Sequence, residues 1–259
     1  MHASDREAIR ELLGRGIAVS IVTGRMYSGT RAFVRTLGLL GPVGCIDGSH
    51  IVDAESDGEL WCGAIDSRAA RVLRRALDTP RVVTVAFARD AIFCDERAKK
   101  HLDYITKWSN NVAEVGDLVR DLDWTAESAF CATVSLGAEA DLGRVASVIA
   151  EQGGAALQAT VFHAKTEESG PVWGMIVRAR GSSKATALEW IARHHGVPLP
   201  EVIAVGDWIN DIPMLVRAGR SFAMAQAPHE VRAAASEVLT ADVWSGGGIV
   251  EAAERAGLF

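Results

Sequence analysis

The sequence predicts an α/β protein in which a mostly parallel sheet, covered by helices on both faces, is interrupted by an α+β module. Three observations predict it. Short apolar runs alternate with amphipathic helical patterns over 1–65 and again over 180–259. The stretch 66–179 instead sets strands next to one another among helices, the mark of a separate α+β insert. Several apolar runs in the outer parts also stop abruptly in polar, glycine-containing turns, as strands of an open parallel sheet do at their carboxyl ends.

The first element reads as a helix. Ser4 and Glu7 form an S-x-x-E capping box, Ile9, Leu12 and Leu13 make an apolar stripe, and Gly14 and Gly16 end it. IAVSIV (17–22) is a short β-branched run and reads as a buried strand. A helix over about 28–38 and the strand PVGCI (42–46) follow. In the middle block, 68–77 is a basic amphipathic helix, and 81–88 pairs with 91–96 around Arg89-Asp90. Further on, 128–136 and 172–180 are strands, and 141–154 is a helix ended by glycine. After 180 come a helix (184–195), the strand VIAVG (202–206), a helix near 212–218 and the strand SFAMA (221–225). A helix near 228–235, the strand EVLT (237–240) and a helix near 247–256 complete the chain.

Composition narrows the function classes. The chain has 259 residues, 49% hydrophobic and 23% charged, which is ordinary for a globular protein. A net charge of −6 argues against nonspecific nucleic-acid binding. No apolar run reaches the roughly 20 residues that span a bilayer, and the charged N-terminus is no signal peptide. Cys45, Cys62, Cys94 and Cys131 form no CxxC pair and sit among apolar neighbours, so the expectation is reduced, buried thiols in a cytoplasmic protein.

Three strand ends and one helix start carry polar groups. In GDWIND, Asp207 leaves a strand end, and Asn210 and Asp211 come round a tight turn. Clustered carboxylates repel unless a cation neutralises them. Hard oxygen ligands with few protein contacts suit Mg2+. The same residues also suit a polar turn in which Asp211 caps the next helix. Thr23-Gly24-Arg25 offers a hydroxyl, backbone N–H groups and a positive charge to an anion, or is a plain strand-to-helix turn. Asp47-Gly48-Ser49 follows the strand 42–46. Ser182 or Ser183 caps a helix whose first turn holds Lys184, the wrong sign for a helix N-terminus. That conflict points either to a nearby anion or carboxylate or to a simply exposed lysine.

Together SIVTGR, Lys184 and GDWINDIPML closely resemble the haloacid dehalogenase (HAD) superfamily, in its Cof-like, type IIB branch. SFAMAQAPHEVRAAASEVL resembles the family's stretch after that last motif, and the likeness covers nearly the whole chain. It implies a Rossmann-like HAD core over 1–65 and 180–259 with an inserted C2B-type cap over 66–179. It implies Mg2+-dependent hydrolysis of a small phosphomonoester, such as a sugar phosphate, through an aspartyl-phosphate mechanism. By this resemblance Thr23 hydrogen-bonds the phosphoryl oxygens, with Gly24, Arg25, Asp47 and Gly48 around the substrate. Lys184 stabilises phosphate and nucleophile. Asp207 is a direct Mg2+ ligand, and Asn210 and Asp211 support the metal, its waters or Lys184. The expected partner is a small phosphorylated metabolite, with no nucleic acid or membrane, for a monomer or weak homodimer. Alternatives are a catalytically inactive phosphate-binding relative and a phosphomutase.

One family feature is missing. Members begin with a central strand ending in D-x-D-G-T, whose first aspartate is the nucleophile. Here D-x-D occurs only as Asp121-Leu122-Asp123, inside the expected cap, with no Gly-Thr after it. Removing such a strand takes away three or four buried apolar side chains, roughly 5–12 kcal/mol, against about 5–15 kcal/mol for a whole domain. The expectation is that the natural protein starts upstream of Met1, and that 1–259 alone turns over little or nothing.

Smaller departures are Asp47, where the family usually has Asn, Trp208 in place of a small residue, and Gln226 in place of Asn. Trp208 either faces the cleft or packs. Arg68, Arg71, Arg74 and Arg75 read as a solvated helix face.

Overall fold

The computed structural model describes residues 1–88, 90–124, 130–166 and 170–259, and of 164–166, 170 and 171 the backbone only. The chain forms two compact units. One gathers 1–23, 32–60 and 183–259; the other gathers 24–31 and 61–182. The second is wider than the 66–179 expected from sequence and includes a segment from well before it. Hydrogen bonds across long sequence gaps explain this. Ser28 N–H donates to Asp90 Oδ1 at 2.7 Å, and Met26 N–H donates to Trp108 O at 3.1 Å. A Cβ at Gly29 would stand 2.2 Å from that Trp108 oxygen, so only glycine lets the segment approach.

In the first unit, α1 (Ala3–Gly14) buries Ile9 and Leu12. Its N-cap is His2, so Ser4 lies inside the helix and the Ser4–Glu7 capping box does not form. Asp5 serves a different helix start, accepting from Gly247 and Ile249 N–H at 3.0 and 2.9 Å. The expected buried strand 17–22 is not one. It is half-buried or exposed throughout and forms a single parallel bridge, Val22 with Gly44. The physical reason is that a strand needs partners: one edge of 17–22 meets a neighbour, and among the described residues no strand pairs the other. After α2 (Arg31–Leu37), β1 (Pro42–Cys45) pairs antiparallel with β2 (His50–Asp53), which β3 (Glu59–Cys62) extends. The tight return between β1 and β2 puts Ile46, Asp47 and Gly48 at φ of 50°, 51° and 88°.

The second unit opens with α3 (Ser67–Leu77), capped by Asp66, whose carboxylate accepts from Arg68 and Ala69 N–H. Arg68, Arg71, Arg74 and Arg75 are exposed, opposite the buried Ala69, Ala70, Leu73 and Leu77. Next come β4 (Val82–Ala88), β5 (Ala91–Cys94), α4 (Leu102–Ile105), β6 (Val112–Glu114) and α5 (Leu118–Asp121). The tip of the 81–96 hairpin includes Arg89, which lies outside the described residues, as do 128–129 at the start of the expected strand 128–136. β7 (Ala132–Gly137), α6 (Glu139–Gly153), β8 (Leu157–Thr166) and β9 (Gly170–Ala179) complete the unit. The sheet order is β6-β5-β4-β7-β9-β8, antiparallel except for β5–β6. Leu73 and Leu77 of α3 and Leu142, Val145 and Ile149 of α6 bury against Val82, Met175 and Val177 of this sheet.

Asp95, 3% exposed, ties this unit together. It takes 2.7 Å and 3.0 Å bonds from the Arg97 guanidinium and backbone and a 3.3 Å bond from Leu118 N–H. Burial alone pushes its carboxyl up, but Arg97 and these N–H groups outweigh burial and hold it below the ordinary value. A carboxyl held low adds stability above its ordinary pKa, and that stability is lost as pH falls through the lowered value. Asp95→Asn should therefore cost about 1–3 kcal/mol at neutral pH. In urea unfolding at a series of pH values, the gap to the parent should narrow toward acid.

Returning to the first unit, α7 (Lys184–His194) starts at Ser183, which forms a capping box with Thr186. β10 (Ile203–Gly206), α8 (Ile212–Arg217), β11 (Arg220–Ala223), α9 (His229–Ala234), β12 (Glu237–Val238) and α10 (Gly248–Arg255) alternate as read from the sequence. β10, β11 and β12 pair in parallel. β10 is an edge strand of this sheet, and Ile203 and Val205 are only half-buried. Among the described residues no helix is long and apolar enough to cross a membrane.

Candidate active site

The site is built at strand ends of the first unit. β10 finishes at Gly206, where a Cβ would lie 2.6 Å from Asp211 Cβ, so glycine is what lets the following turn fold back. Asp211, 4% exposed, uses both carboxylate oxygens. Oδ2 accepts from Asp207 and Trp208 N–H at 2.8 and 2.9 Å, and Oδ1 accepts from Lys184 Nζ at 2.5 Å. Lys184 is itself only 8% exposed, which resolves its misfit at a helix N-terminus: it is paired with a buried carboxylate. The alternative of a simply exposed lysine is excluded.

Asp207 is half-buried. Burial, and then the charge of Asp211, push its carboxyl above the ordinary value; Lys184 and Gln226 pull the other way. An ionised Asp207 is thus short of positive charge, the condition in which a cation binds.

The turn after β1 comes to the same place. Asn210 Nδ2 donates to Asp47 Oδ1 at 2.7 Å across 163 positions. Asp47 N–H donates to Thr23 O at 2.9 Å, and Thr23 N–H donates to Gly44 O at 2.8 Å. A Cβ on Gly48 would stand 2.0 Å from Ser183 O, so glycine at φ +88° seats this turn against the start of α7. Hydrogen bonds and close packing thus connect Thr23, Asp47, Gly48, Lys184, Asn210, Asp211 and Asp207. Gly24 directly follows Thr23, and Arg25 is exposed.

Two features were not assigned from sequence. Gln226 Nε2 donates to Asp207 Oδ2 at 3.4 Å, and its Oε1 accepts from Val243 N–H at 3.2 Å, joining Asp207 to the loop before α10. Only its position in the stretch after GDWIND pointed to it. Trp208 is 58% exposed, so it is not a packing residue.

Among the described residues no group of three or more His, Cys, Asp or Glu is placed to hold a metal. The donors present are hard oxygens: the Asp207 carboxylate and the Asn210 amide carbonyl, with Asp211 already committed to Lys184 and the turn. Such a set does not fit a soft or fully protein-ligated ion. It fits Mg2+, which keeps most of its waters.

Residues 1–252 match the profile of the haloacid dehalogenase-like hydrolase family. The 5-amino-6-(5-phospho-D-ribitylamino)uracil phosphatase YcsE of Bacillus subtilis is 25% identical over 244 residues, 93% of this chain and 84% of that protein. A haloacid dehalogenase-like hydrolase from Bacteroides thetaiotaomicron superposes with a TM-score of 0.78 at 21% identity, over 98% of this chain and 92% of that one. A structure described as a HAD subclass IIB sugar phosphatase superposes with a TM-score of 0.76 at 21% identity, over 100% of this chain and 93% of that one.

Proposed function

Because the chain belongs to the haloacid dehalogenase-like hydrolases, in the Cof-like, type IIB branch whose fold it shares, we propose that it is built for Mg2+-dependent hydrolysis of a small phosphomonoester, such as a sugar phosphate. The reading is carried by the linked group of Thr23, Asp47, Asn210, Asp211, Lys184 and Asp207 at the strand ends. In it Thr23 Oγ1 donates to the phosphoryl oxygens. Lys184 Nζ, aimed by Asp211, neutralises charge on the phosphoryl group. Asp207, steadied by Gln226, holds Mg2+ with Asn210 supporting its waters, and the metal when bound adds positive charge where the phosphoryl oxygens gain negative charge. Asp47 and Gly48 set Asn210 and the wall beside Lys184. The second unit acts as the cap that selects the substrate, and the protein works in the cytoplasm as a monomer or weak homodimer.

The aspartyl-phosphate mechanism also needs a carboxylate that attacks phosphorus. Among the described residues of the site, Asp211 is fully engaged, Asp47 is held by Asn210 and Asp207 serves the metal. By the family resemblance the nucleophile would sit on a strand between 17–22 and β10. A site with no uncommitted carboxylate among the described residues favours, as a second reading, a relative that binds phosphate without hydrolysing it.

The metal half of the reading is tested by thermal unfolding with and without Mg2+. At a hundred times its Kd, Mg2+ should stabilise the parent by about 2.7 kcal/mol. Asp207→Asn should abolish that gain, yet match or exceed the parent without metal, because it removes a carboxylate that burial and Asp211 disfavour. Equal Mg2+ stabilisation of both proteins overturns the assignment of Asp207.

A further inference from the structure

Cys62 and Cys131 are 69 positions apart in sequence, yet their Sγ atoms stand 3.1 Å from each other. That is about 1 Å beyond a disulfide bond. Both residues belong to the second unit, and the backbone holds them there. Ile65 N–H donates to Phe130 O and Cys131 N–H donates to Phe87 O, each at 2.8 Å, so the segments 62–65 and 130–131 are fixed side by side. Cys131 is fully buried, whereas Cys62 is half-buried and reachable from solvent. The other two cysteines differ: Cys45 lies in the first unit, and the Cys94 thiol is buried and pushed above its ordinary pKa by that burial. Such a thiol is closed to a small disulfide arriving from solvent.

We propose that Cys62 and Cys131 are a modification site: a dithiol that a low-molecular-weight disulfide of the glutathione type converts reversibly into an internal disulfide. Cys62 ends β3, the strand on which the chain leaves the first unit at Leu60 and enters the second at Trp61. The bond fastens that crossover strand to the residue just ahead of β7.

The chemistry balances without any further reactant. The Cys62 thiol gives its proton to solvent, and its sulfur attacks one sulfur of the small disulfide. The S–S bond of the reagent breaks, one small thiol leaves, and Cys62 carries the other as a mixed disulfide. Cys131 then loses its proton and attacks Cys62 Sγ, expelling the second small thiol. Two protein thiols are oxidised and one small disulfide is reduced to two thiols. The order follows exposure: Cys62 can be reached from outside, and Cys131 is reached only from Cys62.

The test incubates the folded 259-residue protein with glutathione disulfide, blocks remaining thiols with an alkylating agent, and maps peptides by mass spectrometry. The expected product is a peptide containing Cys62 linked to one containing Cys131, lighter than the pair by two hydrogens and separated again by excess reduced glutathione. Cys131→Ser should instead accumulate one glutathione on Cys62, because the resolving thiol is gone. Cys45→Ser and Cys94→Ser should form the link as the parent does. Circular dichroism before oxidation verifies that each variant is folded. A glutathione adduct that persists on Cys62 of the parent without the link overturns the proposal. So does a folded parent in which both thiols stay alkylatable throughout, or a link to Cys45 or Cys94. None of these readouts depends on the protein being a phosphatase.

Discussion

Asp211→Ala should lower the stability of the protein by about 3–5 kcal/mol, the cost of stranding a buried charge. The variant leaves the Lys184 ammonium, 8% exposed, without its carboxylate. It also removes the acceptor of the Asp207 and Trp208 N–H groups, so the turn loses its internal support. Urea unfolding followed by circular dichroism measures the loss. The double variant Lys184→Met with Asp211→Ala separates the causes. It removes the stranded charge while leaving the turn unsupported, so it should recover a measurable part of the stability. A double variant no more stable than Asp211→Ala would show that the turn, and not the ion pair, carries the energy. On the proposed function, phosphate binding is lost in both proteins, since each lacks an aimed lysine.

Pure 1–259 should release no phosphate from p-nitrophenyl phosphate with Mg2+. The same chain with an apolar strand ending in Asp-x-Asp-Gly-Thr joined ahead of Met1 should exceed it at least roughly a thousandfold, the scale on which supplying a nucleophile acts. Two strand edges in the first unit offer pairing positions for such an addition. The segment 17–22 meets β1 along one edge, through Val22 beside Gly44 and the Ser20 bond to Pro42 O, and among the described residues β10 pairs only with β11. Ile203 and Val205 are half-buried there, and each apolar side chain added against such a surface contributes about 1.5–3 kcal/mol. The extended chain should therefore unfold at higher urea as well. Changing its first aspartate to asparagine should return activity to the baseline and keep the added stability. Hydrolysis by 1–259 itself would contradict the reading that none of the described carboxylates of the site takes the phosphoryl group. Added stability without turnover would favour the phosphate-binding relative. Transfer of phosphate between positions of one sugar, with little release, would favour a phosphomutase.

The sequence by itself determined the elements whose signals are local. The apolar stripe of α3, the alternation after 180, and the polar turn closing β10 all follow from the spacing of neighbouring residues. The residue types at Thr23, Lys184, Asp207, Asn210 and Asp211 were legible for the same reason, because strand ends and helix starts are written in a few adjacent positions. Only the tertiary structure decided what depends on partners far away in sequence. The run 17–22 has the composition of a buried strand, but a strand exists by hydrogen bonds to its neighbours, and here it has one bridge. Ser4 and Glu7 carry the pattern of a capping box, but the helix starts two residues earlier, and it is Asp5 that caps, on α10. The bond from Asn210 to Asp47, the support of Asp207 by Gln226 and the meeting of Cys62 with Cys131 leave no periodic trace. Local spacing records which face a side chain takes, while the choice of its partner is made by how the whole chain closes on itself.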